Sequence, residues 1–167
     1  TLKKLTREIK QIDILINNAG LLVNKPFMDI GLDEISRLFH VNCIAPALLI
    51  RQLIPLMGRQ GPTHVVNISS MGGFQGSQKF PGLSYYSASK AALACLTECL
   101  SEEFKDTRIA FNCLALGSVQ TEMLEEAFPG YKAQLQPGEM AEFIGHFALT
   151  GHKHMRGKVI PVSITNP

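Results

Sequence analysis

Short β-branched runs alternate with longer helical patterns along this chain, and that alternation most constrains its fold. The four runs are QIDILINNAG (11–20), GPTHVVNISS (61–70), RIAFNCLAL (108–116) and GKVIPVS (157–163). Each is short enough for a buried strand, whereas the segments between them carry apolar residues at helical spacings of three and four. The order strand, helix, strand, helix, strand, helix, strand predicts an α/β fold with a parallel sheet and helices on both faces.

Helical patterns cover residues 32–57, 85–104, 121–128 and 136–151. Pro46 lies inside the first pattern and is expected to distort that helix locally, because proline lacks the amide proton that a helix uses. Pro161 lies in the last apolar run, so we expect that strand at an edge of the sheet.

Composition narrows the classes of protein to consider. The chain has 167 residues, of which 46% are hydrophobic and 18% are charged, as in a single folded domain. The net charge is +2 and the basic residues are scattered, so we predict neither nucleic acid nor an anionic membrane as a partner. The longest uninterrupted apolar run, Cys43 to Ile50, is far shorter than the roughly 20 residues that a membrane span needs.

Four cysteines occur without any C-x-x-C pair, at Cys43, Cys95, Cys99 and Cys113. They lie in apolar or helical patterns, which is typical of reduced thiols in an intracellular protein. We therefore predict a cytoplasmic protein, and we interpret its histidines as structural or solvated residues rather than metal ligands.

The stretch LSYYSASKAAL holds two neighbouring tyrosines and a lysine. Lys90 follows Tyr86 by four residues, which places the two side chains on one helix face, whereas Tyr85 has Ser89 in that position. A phenol has a pKa near 10, and a fixed positive charge beside it favours the phenolate. The pair Tyr86 and Lys90 is thus a candidate proton donor and acceptor for a carbonyl and its alcohol.

Four motifs in order extend this pair to a recognisable pattern. NNAG (17–20), VNCIAPA (41–47), VVNISSMGG (65–73) and YSASKAAL (86–93) together resemble the short-chain dehydrogenase/reductase family of NAD(P)-dependent oxidoreductases. The resemblance covers nearly the whole chain. It implies a Rossmann-type doubly wound parallel sheet, and interconversion of a small carbonyl compound and an alcohol by hydride transfer to or from NAD or NADP.

The resemblance assigns roles to individual residues. Tyr86 matches the catalytic acid/base, Lys90 the lysine that lowers its pKa and holds the nicotinamide ribose, and Ser70 the serine that binds the substrate oxygen, with Ser69 as the alternative. Asn42 matches the asparagine whose main-chain carbonyl holds a water in a proton relay. The positions that match cofactor contacts, besides Tyr86 and Lys90, are Asn18, Ala19, Gly20, Val119 and Thr121.

The chain also departs from the family pattern. The family begins with a T-G-x-x-x-G-x-G turn that cradles the cofactor pyrophosphate, and no such motif occurs here; TGHKHMRG (150–157) has Met155 where a glycine is needed. Leu116 stands where the family has a proline, which weakens the assignments of Val119 and Thr121. We therefore expect residues 1–167 to be a single, N-terminally truncated NAD(P)-binding Rossmann-like domain, with about four strands and without the first strands and the pyrophosphate-binding part.

This expectation has a physical consequence for the strand Ile12–Ile16. In the family's sheet order it is an interior strand, so without its neighbour it would present an open apolar edge. We predict that the 167-residue chain is poorly stable or poorly soluble when produced alone. A sharp, reversible melt of the isolated monomer would contradict that prediction.

Two hypotheses about function remain. The first is an enzyme that forms a homodimer or homotetramer through helices 32–57 and 85–104, as the resemblance implies, with Met123, Leu124, Phe128, Tyr131 and Leu135 as a mobile cover over the substrate. The alternative is a non-catalytic fragment or oligomerisation module that keeps the family scaffold.

Overall fold

The four predicted strands form one parallel sheet. The computed structural model describes residues 9–164. The strands are β1 (Ile14–Asn17), β2 (Thr63–Ser70), β3 (Ile109–Leu116) and β4 (Lys158–Val162). They pair in the order β1-β2-β3-β4, and every pair is parallel. This arrangement is Rossmann-like and confirms the predicted α/β fold class.

Burial distinguishes the inner strands from the outer ones. All residues of β2 and β3 except the last are buried, as expected of strands covered on both faces. Within the described residues β4 is an edge strand, and it carries Pro161 as predicted. β1 is the other edge, where Ile14 and Ile16 are 36% and 39% exposed. An apolar edge of this kind favours pairing with another chain segment.

The helices lie where the apolar periodicity places them. They are α1 (Leu32–Phe39), α2 (Ala45–Leu53), α3 (Ser84–Glu103), α4 (Glu122–Ala127) and α5 (Pro137–Thr150). Short 3-10 turns lie at Phe27–Asp29, Ile54–Leu56, Met71–Gly73 and Gly151–Lys153.

Two apolar clusters cover opposite faces of the sheet. On one face Val65 and Phe111 pack with Ile50 and Leu53 of α2. On the other face Val66 and Leu114 pack with residues of α5 such as Phe147. Successive residues of a strand point to opposite faces, so β2 and β3 each contribute to both clusters. The predicted double layer of helices follows from this alternation.

The helical pattern 32–57 is not one regular helix. α1 and α2 are joined by a π-helical stretch, His40–Ile44, in which the Ala45 amide donates to the His40 carbonyl five residues earlier. Pro46 then occupies the first turn of α2, where its missing amide proton costs little. The distortion therefore lies just before Pro46 and includes Asn42.

By length and composition alone, the helical segment Leu32–Leu56 is long and apolar enough to cross a membrane, with a mean hydropathy of 1.3 in its most apolar window. The prediction above considered only uninterrupted apolar runs and therefore missed this segment. Leu38, Ile50 and Leu53 of the segment are buried in the core, and core helices of folded domains satisfy the same criterion.

His64 lies buried near the start of β2 with both ring nitrogens bonded. Nδ1 lies 2.9 Å from the Ala148 carbonyl oxygen, and Nε2 lies 2.9 Å from Asn112 Nδ2. The Asn112 amide is held in place because Nδ2 also donates to the Met155 carbonyl and Oδ1 accepts from the Lys158 amide. His64 is thus held as the neutral tautomer that donates from Nδ1, and burial lowers its pKa below the ordinary 6.5. This supports the interpretation of His64 as structural.

We predict that acid destabilises the fold through His64. As the pH falls below 6.5, His64 takes up a proton in the unfolded chain but stays neutral in the folded protein, where its pKa is lower. The contribution of His64 to stability is therefore full above pH 6.5 and is lost on acidification. Urea unfolding should show a loss of up to about 1 kcal/mol from this group between about pH 7 and pH 5.5. His64→Gln should remove that part of the pH dependence and His154→Gln, at an exposed position, should not. Equal pH slopes in the two variants would contradict the account.

Candidate active site

The candidate residues meet at the carboxyl ends of β2 and β3. Strand β2 ends at Ser70, a glycine-containing loop follows, and α3 begins at Ser84. Tyr86 lies in the first turn of α3 and Lys90 in the next, on the face that packs against β2, and both are buried. In open α/β sheets this end of the strands is where ligands bind.

Glycines allow the loops to approach α3 closely. A Cβ atom on Gly73 would lie 2.6 Å from the Ala91 backbone nitrogen, so only glycine lets the turn after Ser70 pack on the helix. A Cβ atom on Gly20 would lie 3.2 Å from Lys90 Nζ and 3.5 Å from Asn42 Oδ1. The turn after β1 is therefore held directly over the ammonium group.

Lys90 is only 4% exposed, and its ammonium donates to the Ile68 carbonyl oxygen at 2.9 Å. An ammonium has three donors, and within the described residues this carbonyl is its one acceptor. Burial lowers the pKa of Lys90 to about 8, against an electrostatic interaction with Cys113 that raises it. Lys90 is thus a buried cation with hydrogen-bond donors to spare and a pKa close to neutrality.

Tyr86 is 9% exposed, and burial raises its pKa above the ordinary 10, against a hydrogen bond with Ser70 that lowers it. Lys90 is not among the groups that shift this pKa. The expectation that the ammonium would lower this pKa is therefore wrong, because burial raises the pKa by more than the Ser70 hydroxyl lowers it. Tyr86 is held as a neutral phenol, a proton donor at neutral pH.

The strand alternation separates the two candidate serines. Ser69 is buried, and its hydroxyl donates to the Lys90 carbonyl oxygen at 2.8 Å, which ties β2 to α3. Ser70 points to the other face, where its Oγ accepts from the Gly72 amide at 3.2 Å and lies near enough to the Tyr86 hydroxyl to lower its pKa. Of the two hydroxyls, that of Ser70 is the one positioned beside the phenol.

Asn42 is fully buried, and its side chain holds the site together. Its amide makes both hydrogen bonds to the Leu21 backbone at 2.8 Å, and Nδ2 also donates to Ser89 Oγ at 2.9 Å. The Ser89 hydroxyl in turn donates to the Tyr86 carbonyl. Because Pro46 has no amide proton, it cannot donate to the Asn42 carbonyl four residues earlier. Asn42 thus couples the turn after β1 to α3 through its side chain.

The other candidate positions surround one cleft of about 520 Å³. Asn18, Gly20, Val119 and Thr121 line it together with Ser70, Tyr86 and Lys90, whereas Ala19 is not among the lining residues. Thr121 also caps α4, since its Oγ1 accepts from the Leu124 amide. The neighbouring Asn17 has a structural role instead, because its Nδ2 donates to Asn67 Oδ1 at 2.7 Å inside the fold.

The rest of the cleft is mostly apolar. The predicted cover contributes Met123, Leu124, Phe128 and Tyr131, while Leu135 forms a backbone bridge with Val119. The sequence reasoning missed the lining residues Leu22, Met71, Gln78, Phe80 and Leu83. They lie in loops or, for Met71, in a short 3-10 turn, where apolar periodicity gives no signal.

Comparison with known proteins agrees with this geometry. The family model described as short chain dehydrogenase matches residues 1–132. An uncharacterized oxidoreductase of Staphylococcus saprophyticus is 30% identical over 140 residues, which are 84% of this chain and 58% of that protein. The chain therefore spans less than two thirds of the length of this relative.

Solved structures share the fold. A short chain dehydrogenase of Escherichia coli CFT073 in complex with NADPH superposes with a TM-score of 0.84 at 24% identity, over 96% of this chain and 66% of that one. The 3-ketoacyl-(acyl-carrier-protein) reductase of Brucella melitensis in complex with NADH gives 0.81 at 23% identity, over 96% and 69%. At these identities the likeness concerns the fold.

Proposed function

The chain belongs to the short-chain dehydrogenase family, and on that premise we propose that it is the catalytic part of an NAD(P)-dependent oxidoreductase that interconverts a carbonyl compound and an alcohol. One observation carries the proposal. Ser70, whose hydroxyl lowers the pKa of Tyr86, lines one cleft together with Tyr86 and the buried Lys90. These three groups can bind a carbonyl oxygen and exchange a proton with it.

The residues present fit the nicotinamide end of the cofactor. Lys90 has unused donors in the cleft, and Gly20 brings the turn after β1 within reach of the ammonium. Lys90, Asn18 and Gly20 would hold the ribose, and Val119 and Thr121 the carboxamide. When bound, nicotinamide supplies or accepts the hydride. NADPH- and NADH-bound structures share the fold, so we propose NAD or NADP.

Two side chains of the site would polarise the carbonyl group and transfer the proton. Ser70 donates a hydrogen bond to the carbonyl oxygen of the substrate, which polarises it, and the Tyr86 phenol gives its proton to the same oxygen as negative charge develops. Because burial raises the Tyr86 pKa, the phenol is protonated at neutral pH and is ready for carbonyl reduction. Alcohol oxidation needs the phenolate and should therefore speed up as the pH rises.

After each reduction, a proton from solvent must reach the buried Tyr86 phenolate. The Asn42 carbonyl receives no helical hydrogen bond from residue 46, because Pro46 has no amide proton. The Lys90 ammonium has unused hydrogen-bond donors and a pKa of about 8. We propose that the Asn42 carbonyl holds a water molecule that passes protons to Lys90. Lys90 then passes them through the ribose hydroxyls to Tyr86.

The two serines provide a matched test of this proposal. Ser70→Ala should lower kcat/KM for ketone reduction by roughly 100-fold, because a donor to the developing oxyanion is lost. Ser69→Ala should cost roughly 1 kcal/mol of stability through the lost bond to the Lys90 carbonyl and change kcat/KM much less. The measurement is consumption of NADH or NADPH with a ketone, beside urea unfolding. A larger loss of activity in Ser69→Ala would assign the role to Ser69.

We also propose a domain organisation, a cellular location and an oligomeric state for the protein. We propose that residues 1–167 form one Rossmann-like domain of a cytoplasmic protein, in which Cys95 and Cys99 are exposed free thiols. Assembly as a homodimer or homotetramer is supported by exposed apolar residues of the long helical segment, Ile44 and Leu48, which are 45% and 48% exposed. The same surface supports the second candidate function, a non-catalytic oligomerisation module.

A further inference from the structure

The cleft beside Tyr86 has an apolar wall. Phe80 and Leu83 line it from the loop that precedes α3, and Met123, Leu124 and Phe128 line it from α4 and the residue after that helix. The polar groups within this wall are neutral, as in Gln78 and the Ser118 and Tyr131 hydroxyls, which lie 3.2 Å apart.

Charge is nearly absent from the lining. Among the described residues that line the cleft, Lys90 is the one lysine, and no arginine, aspartate or glutamate lines it. The Lys90 ammonium donates a hydrogen bond to the Ile68 carbonyl oxygen. Lys90 is only 4% exposed and lies beneath the turn of Gly20, so its unused donors are confined to that end of the cleft. A carboxylate or ammonium of a substrate that lies along the apolar wall, away from Lys90, would therefore lose water without gaining a partner, which is strongly unfavourable. A neutral apolar group loses nothing there and gains from burial.

The surface next to the cleft is acidic. Helix α4, which supplies Met123 and Leu124 to the cleft, exposes the carboxylates of Glu122, Glu125 and Glu126. They lie within one helical turn of the lining residues, inside the screening distance of about 10 Å at ordinary salt. They would repel an anionic substrate as it approaches.

From this lining we infer that the substrate is a neutral, largely apolar ketone or secondary alcohol, and not a keto acid or other charged carbonyl compound. The inference rests on the proposed oxidoreductase function and names its substrate class. In the reduction the carbonyl π bond would break: the carbon would take the hydride that NADH or NADPH supplies, which leaves NAD⁺ or NADP⁺, and the oxygen would take the proton of Tyr86 to give the alcohol. The Tyr86 phenolate that remains would regain a proton from solvent through Lys90.

Two matched probes test the inference. 2-Octanone and 7-oxooctanoate share a methyl ketone and chain length and differ in a terminal carboxylate. Binding is measured without cofactor by NMR of the methionine methyl groups, with Met71 and Met123 in the cleft and the 87% exposed Met28 outside it. We expect 2-octanone to shift Met71 and Met123 but not Met28, with a Kd at least about tenfold lower than that of 7-oxooctanoate. Equal or tighter binding of the carboxylate, or no shift with 2-octanone, would overturn the inference.

A charge placed in the wall sharpens the test. Met123→Lys should give 7-oxooctanoate a partner and cut the preference for 2-octanone by about tenfold. Leu149→Lys makes a similar change on α5, at a residue 63% exposed and outside the cleft, and should leave the preference unchanged. If both variants leave it unchanged, or both shift it equally, contact within the cleft does not set the preference.

Failure of the inference and failure of the proposed function give different results. If 2-octanone binds at Met71 and Met123 with the expected preference but neither NADH nor NADPH is consumed, the substrate class stands and the oxidoreductase proposal fails. If 7-oxooctanoate is reduced as efficiently as 2-octanone, the oxidoreductase proposal stands and the substrate class is wrong.

Discussion

Replacing Tyr86 with phenylalanine should lower kcat for ketone reduction by about 10²–10⁴-fold while KM changes little. The phenol is the proton donor of the site, and phenylalanine keeps the ring that packs with Leu38 and Leu83 in a buried cluster. The fold and the shape of the cleft should therefore persist, and only the phenol hydroxyl with its proton is lost. The measurement is steady-state kinetics with NADH or NADPH, together with urea unfolding.

The neighbouring tyrosine is the control. Tyr85 stacks on Phe27, with ring centroids 5.2 Å apart, and does not line the cleft. Tyr85→Phe keeps that stack and should leave kcat within about twofold of the parent, since no proton transfer is lost. Near-normal turnover in Tyr86→Phe, or an equal loss in both variants, would remove Tyr86 from the mechanism.

Replacing Lys90 with methionine should abolish most turnover and at the same time stabilise the fold. Burial lowers the Lys90 pKa from 10.5 to about 8, and each pKa unit corresponds to about 1.4 kcal/mol. The buried ammonium therefore costs about 3 kcal/mol at neutral pH, from which the lost bond to the Ile68 carbonyl must be subtracted. We expect a net gain of roughly 1–3 kcal/mol in the free energy of unfolding.

The pH dependence of that gain is specific to Lys90. Between pH 8 and 10.5 the unfolded chain still binds the proton that folded Lys90 has released, so the stability of the parent protein rises with pH across this window. In Lys90→Met this rise should be absent, so the difference between the two proteins narrows as the pH increases. Urea unfolding at about pH 7 and pH 10 measures it, with Lys153→Met at an exposed position as the control. A variant less stable than the parent at pH 7 would contradict the account.

Much of the site follows from spacing and strand alternation. The four-residue spacing selects Tyr86 over Tyr85, and the structure places Tyr86 and Lys90 on the buried face of α3. The choice between Ser69 and Ser70 needs the structure, since either could end β2. The hydrogen bond from Ser69 to the Lys90 carbonyl leaves Ser70 beside the phenol.

Environment and loop shape could not be read from the sequence. The pKa of Tyr86 is raised because burial outweighs the effect of the Ser70 hydroxyl, and burial is a property of the folded chain. Pro46 predicts a distortion of the helix, but not that it takes the form of a π-helical stretch around Asn42. The loop residues Phe80 and Leu83 line the cleft although no periodic pattern includes them.

Transfer of deuterium from the cofactor to a ketone tests the central claim most directly. The protein is incubated with 2-octanone and either NADH or NADPH that is fully deuterated at the hydride-bearing carbon, and the product is analysed by mass spectrometry. We predict 2-octanol with one deuterium at the carbinol carbon for at least one cofactor, and only a trace with Tyr86→Phe. A protein that binds 2-octanone in the cleft yet forms no deuterated alcohol with either cofactor would contradict the assignment.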